Sequence, residues 1–228
     1  MKIKNPLLQL SRRELIGWIA ALAVITVSFL LTSNDYLTLV SSLLGVTTLV
    51  FVSKGLVVGK FLTVIFSVFY GIVSFFLTYY GEMITYLGMT TPIAIFSIFT
   101  WLRHPFEDSD EVEVHQMTRR ECALMWALAA IVTTAFYFIL GALDNANLIV
   151  STVSVTTSFV ASYLAMMRNP FYAVAYAVND IVLIVLWIAA TVSDLSYFPM
   201  IVCFVIFFLY DLYGFYNWRN MQKRQRKQ

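Results

Sequence analysis

The chain has 228 residues, 60% apolar, 16% aromatic and 12% charged, and its 15 Lys and Arg against 13 Asp and Glu leave a net charge of +2. Ordinary soluble domains carry about a quarter of their residues as charges, so this balance excludes one and points to an integral membrane protein.

A bilayer core is crossed by roughly 20 apolar residues, and that window predicts eight transmembrane helices. They run approximately 15–32, 36–53, 61–78, 83–101, 121–140, 148–166, 171–191 and 197–217. Before the first lies Ser11-Arg12-Arg13-Glu14-Leu15, which looks like a twin-arginine export signal; with seven more spans behind it, the arginines read as an inside anchor. All 15 Lys and Arg, among them Lys2, Lys4, Lys54, Lys60, Arg103 and Arg168, fall on one side of the resulting topology. The breaks on the other side, Ser33-Asn34-Asp35, Tyr79 to Glu82, Asp144 to Asn147 and Ser193-Asp194, hold carboxylates and no cation. Positive charge collects in cytoplasmic loops, so both termini are expected inside. The longest break, after Arg103, holds His104 and His115, expected to be solvated rather than metal-bound. Cys122 and Cys203 lack metal-site spacing and read as packing residues. The basic tail, Lys223 to Lys227, suits anionic lipid and not nucleic acid, and no Gly-x-x-x-x-Gly-Lys-Ser/Thr loop for a nucleotide is present.

Sliding the chain on itself by 109 positions lays Val46-Thr47-Thr48 on Val155-Thr156-Thr157 and Tyr70-Gly71 on Asn179-Asp180; with a longer second outer loop, Trp101 meets Trp218. Spans two to four and six to eight then form two three-helix units, made parallel by the single span between them. The expected organisation is 1–35 cytoplasmic N-terminus and extra helix, 36–102 first repeat, 103–147 charged loop and linker helix, 148–218 second repeat and 219–228 basic tail. Parallel repeats about the membrane normal are a transporter device, with substrate held between the halves.

A carboxylate at mid-depth costs a few kcal/mol or more unless it meets a cavity, a partner or a proton. Asp180 is so placed, and helical spacing sets Tyr172, Tyr176, Asp180 and Trp187 on one stripe with Asn179 at its edge. In the last span Tyr210, Tyr213 and Asn217 form a second stripe beside Asp211. The first repeat offers Ser67 and Tyr70 in span three and Tyr86 in span four, where Pro92 reads as a bend or gate. Rings beside amides and carboxylates make a slot for a flat, polar, cationic ligand. Tyr79, Tyr80, Trp101, Tyr197 and Trp218, all near span ends, read as interfacial anchors.

Asn179-Asp180-Ile181-Val182-Leu183-Ile184-Val185-Leu186-Trp187, Asp211-Leu212-Tyr213-Gly214-Phe215-Tyr216-Asn217-Trp218 and Tyr80-Gly81-Glu82, with Pro92 and Trp101 following, resemble the PnuC family of bacterial nicotinamide riboside transporters over roughly residues 36 to 222. The resemblance implies a SWEET-like 3+1+3 core, a homotrimer in the bacterial cell membrane, and import of nicotinamide riboside by facilitated diffusion, without a cofactor. It also implies that Asn179, Trp187, Asp211, Tyr213 and Asn217 bind substrate, with Asp180 as a neighbour; Tyr176, Tyr70, Tyr86 and Ser67 complete the candidate set. Where relatives often show Gln and Gly after the span-four proline, this chain has Ala94 and Ser97, and an expected Asn is Tyr86. Thiamine or riboflavin transport and proton-coupled transport are the nearer alternatives. Two aspartates on adjacent helices also suggest an intramembrane aspartyl protease, against which Asp180 follows Ala177-Val178-Asn179 instead of Gly-x-Gly.

Overall fold

A computed structural model of the chain describes residues 5–32, 35–76, 80–107, 109–145 and 147–227. Lys2, Lys4, Ser33, Asn34 and Tyr79 lie outside the described residues. Eight helical spans cross a membrane-sized thickness: α1 (Arg12–Thr32), α2 (Tyr36–Ser53), α3 (Val57–Phe76), a fourth built from α4 (Tyr80–Ile84) and α5 (Thr91–Arg103), then α6 (Arg119–Ala142), α7 (Leu148–Met166), α8 (Tyr172–Ser193) and α9 (Phe198–Gln225). With an even number of crossings both ends lie on one face, called here the terminal face.

Local chemistry sets where the spans begin. The segment that resembles an export signal is an N-terminal cap: Ser11 N–H donates to Glu14 Oε2 at 2.6 Å and Glu14 N–H to Ser11 Oγ at 3.3 Å. Asp35 accepts the Thr38 N–H at 3.0 Å to open α2, and Thr118 with Glu121 forms a full capping box on α6. Ahead of α9, Asp194 accepts the Ser196 N–H at 2.9 Å, and this backbone bond, followed by the Ser196 side chain, holds its carboxyl below the usual carboxylate range. At the turn after α2, Gly55 has φ +68° and lies where a Cβ would stand 3.0 Å from Met221 Cε.

The fourth span is interrupted by a π-helical turn at Thr85–Thr90. Pro92 has no N–H to donate and its ring crowds the carbonyl four residues back, so the backbone widens before it. The Thr91 hydroxyl closes the turn on Tyr86 O at 2.8 Å and meets Ser67 Oγ at 2.8 Å, which ties the turn to α3. The predicted break is therefore a widened turn.

Three features of the terminal face go beyond the sequence pattern. Span three starts earlier than its apolar run and takes in Lys60, which is buried at 3% exposure with its Nζ over the Trp101 ring, 4.9 Å from the centroid. The charged loop at 104–118 lies as a strap against both ends of the chain. Gln9 Nε2 donates to Asp110 at 2.9 Å, Gln225 bonds both Val112 O and Val114 N, and Val112 is fully buried. His104 is exposed, whereas His115 is half-buried against Glu121 at 3.1 Å. The basic tail continues α9 to Gln225, and Arg224 pairs with Glu111 of the strap.

Helices in lipid associate through close packing and hydrogen bonds, because acyl chains are as apolar as the side chains they would replace. Buried small residues accordingly line the contacts, with Ser41, Ser42, Gly45 and Thr48 on α2 and Ala161 and Ala165 on α7. α2 packs on α3, α9 and α1; α7 packs on α8, α6 and α5. α1 is fastened at its terminal end by Glu14, which takes the Tyr213 hydroxyl and the Lys54 ammonium, the latter at 3.1 Å.

Candidate functional site

Between these helices lies a cavity of about 390 Å³, inside the about 300–1,000 Å³ range of small-molecule sites. Its mouth is on the face opposite the termini, among Tyr80, Asp144, Asn147 and Tyr197, and it descends to Asn179, Tyr86 and Tyr70. Asn179, 6% exposed, is positioned by α7: Thr157 Oγ1 donates to its Oδ1 at 2.8 Å and Ser154 Oγ at 3.2 Å. Trp187 stands two turns further along α8, roughly 12 Å closer to the mouth at 1.5 Å per residue, and its ring lies 5.6 Å from that of Tyr197. On the facing wall Tyr70 and Tyr86 meet edge to face at 4.6 Å, backed by Phe66. Among the described residues, the acidic side chains in the lining are Glu82 and Asp144, and no Lys, Arg or His contributes to it.

Of the ten residues predicted for the site, Asn179, Trp187, Tyr70 and Tyr86 line this cavity and six do not. Ser67 is fully buried in the bond between α3 and α5. Tyr176 lies deeper, its hydroxyl 2.9 Å from Ser162 Oγ. Asp180 and Asp211 are each 4% exposed and lie beside one another outside the cavity lining, with Asp180 Oδ2 buried without a hydrogen-bond partner among the described residues. Tyr213 points away to Glu14, and Asn217 donates to Ser53 O at 2.7 Å. The polar stripe of the last span thus ties helices together below the cavity.

Beneath this layer the route is closed. Trp101 and Trp218, expected at the interface, are fully buried with centroids 5.5 Å apart. Trp101 Nε1 donates to Ala165 O and Trp218 Nε1 to Val52 O, both at 2.9 Å, so each indole adds a donor, beside a backbone N–H, to the penultimate carbonyl of a helix in the opposite half of the chain. Tyr172 packs on Trp218 at 5.1 Å. Tyr80 and Tyr197, also read as anchors, are cavity residues. Sequence reasoning further missed Glu82, Ser154 and Thr157. The signal for the α7 hydroxyls was present, since Ser154 and Thr157 stand one turn apart on a helix packed beside Asn179.

A polar, aromatic-walled cavity that enters a helical membrane bundle from one face and is stoppered toward the other defines a small-molecule transporter. The chain belongs to the family described as nicotinamide mononucleotide transporter, which matches residues 35–220. It is 27% identical over 192 residues to a nicotinamide riboside transporter PnuC of Neisseria mucosa, covering 78% of this chain and 73% of the relative. The crystal structure of a vitamin B3 transporter PnuC superposes with a TM-score of 0.77 at 25% identity, covering 95% of this chain and 94% of that one.

Proposed function

We propose that this protein carries nicotinamide riboside into the cell by facilitated diffusion, with the terminal face cytoplasmic. The observation that carries the choice of substrate is the charge of the lining: Glu82 and Asp144, with no cationic side chain among the described residues. A mononucleotide's phosphate needs Arg, Lys or a helix N-terminus, whereas the riboside is a cation with an uncharged sugar. Trp187, Tyr197, Tyr70 and Tyr86 offer faces to a flat ring. The bonds from Thr157 and Ser154 occupy Asn179 Oδ1, which leaves the amide N–H groups for a ligand oxygen.

The transport cycle follows from the two halves. On this reading α2, α3 and α4–α5 form one unit and α7, α8 and α9 a parallel second, joined by α6. The crossed bonds of Trp101 to α7 and Trp218 to α2 support that pairing, as does the matched packing of α2 on α9 and α7 on α5. Rocking the halves breaks the tryptophan layer and opens the cavity inward. The terminal face is assigned inside because it collects the Lys and Arg residues. The copies assemble as trimers, in keeping with the family resemblance of the α8 and α9 motifs. Asp180 and Asp211 are not lining residues and act as a structural tie, and the cycle runs without proton coupling or peptide chemistry.

Uptake of labelled nicotinamide riboside into proteoliposomes tests this. Saturable uptake that persists after the proton gradient is collapsed, and that excess unlabelled riboside suppresses more strongly than thiamine or riboflavin, is expected. Uptake no faster than into empty liposomes would overturn it.

A further inference from the structure

Glu82 has a placement that the polar-stripe reasoning did not anticipate. It sits in α4, half-buried in the cavity wall, and its carboxylate accepts the hydroxyl of Tyr70 from α3. Tyr70 is fixed in turn, with Phe66 stacked at 5.8 Å and Tyr86 edge-on at 4.6 Å. α4 is held from the other side by the end of α6, which packs against it closely because residue 81 is glycine: a Cβ there would lie 2.7 Å from Asn145 Oδ1 and 2.8 Å from Leu140 Cδ2. Asp144, the other acidic residue of the lining, is exposed at the mouth and faces water. The held carboxylate of the inner wall is therefore bordered by rings, where charge is screened less than at the surface.

Resting on the riboside reading, we infer that Glu82 is the charge-selecting residue of the site: its carboxylate, aimed by Tyr70, faces the positive pyridinium ring while Tyr86 offers a ring to pack against it. A purely structural role for Glu82 would support ligands of equal shape equally. Charge selection instead separates the cationic riboside from its 1,4-dihydro form, which has nearly the same outline and no charge.

Calorimetric titration of the detergent-purified protein with nicotinamide riboside and with 1,4-dihydronicotinamide riboside makes the comparison. The wild type is expected to bind the cation at least ~10-fold more tightly. Glu82→Gln keeps the shape and an acceptor for Tyr70, and is expected to bring the ratio to within about twofold while the affinity for the dihydro form stays the same. Equal affinities in the wild type, or an undiminished ratio in the Gln variant, would overturn the inference. The wild-type ratio alone can do so if that variant is not recovered folded. Binding of neither form by the wild type would instead overturn the riboside reading beneath it.

Discussion

Asn179 and Asp180 are neighbours on α8 with different fates. One lines the cavity and the other is sealed against Asp211. Mid-depth polarity made both legible as inward-facing, but a helix turns about 100° per residue, and which of two adjacent side chains meets the void depends on what α7 and α9 present. Asn179→Ala is expected to weaken riboside binding about tenfold by calorimetry, the equivalent of about 1.4 kcal/mol for lost amide contacts, with little change in melting temperature. Asp211→Asn preserves a donor and an acceptor in the buried pair and should leave uptake within about twofold of wild type. Asp211→Ala leaves Asp180 without that partner and should cost about 1–3 kcal/mol, seen as a melting temperature several degrees lower. Loss of uptake in the Asn variant would show that the pair acts in transport.

Among the elements, the fourth span shows most clearly what pattern reading supplies and omits. Pro92 marks a break in any apolar run, but that the break is a widened turn depends on the Thr91 hydroxyl reaching Tyr86 O and on Ser67 across from it. That turn brings Tyr86 to the Tyr70 wall. Pro92→Ala restores an N–H and removes the ring clash, so the span can revert to regular α-helix and rotate Tyr86 relative to Tyr70. Riboside binding is expected to weaken severalfold in titrations while thermal stability holds or rises. Helix ends show the complementary limit. Hydropathy stops near residue 217, whereas α9 runs on to Gln225 because Arg224 and Gln225 find partners on the strap. Counting apolar residues is blind to such contacts.

At the scale of the molecule, eight spans were legible because a miscounted helix would have scattered the cations over both faces. The tryptophan layer was not, because Trp101 and Trp218 near span ends have the signature of interfacial anchors, and only their partners across the halves show otherwise. If this layer is the inner gate, loosening it should admit water from the terminal face. Trp101→Phe with Trp218→Phe removes one donor from each of two buried carbonyls that keep a backbone donor, Arg168 N–H on Ala165 O and Gly55 N–H on Val52 O, at about 0.5–1.5 kcal/mol each. A cysteine at Ser162, now 5% exposed beneath the cavity, should then react faster with a membrane-impermeant thiol reagent applied from that side than the same cysteine in an otherwise unchanged chain. An unchanged rate would place the gate elsewhere.

The proposed transport requires a cavity that accepts a ribosyl pyridinium cation and refuses its phosphorylated form. Isothermal titration of the purified protein with nicotinamide riboside and nicotinamide mononucleotide tests this directly. Saturable binding of the riboside, with the mononucleotide at least ~100-fold weaker for want of a cationic partner to its phosphate, is the predicted result. Equal or tighter binding of the mononucleotide would contradict it.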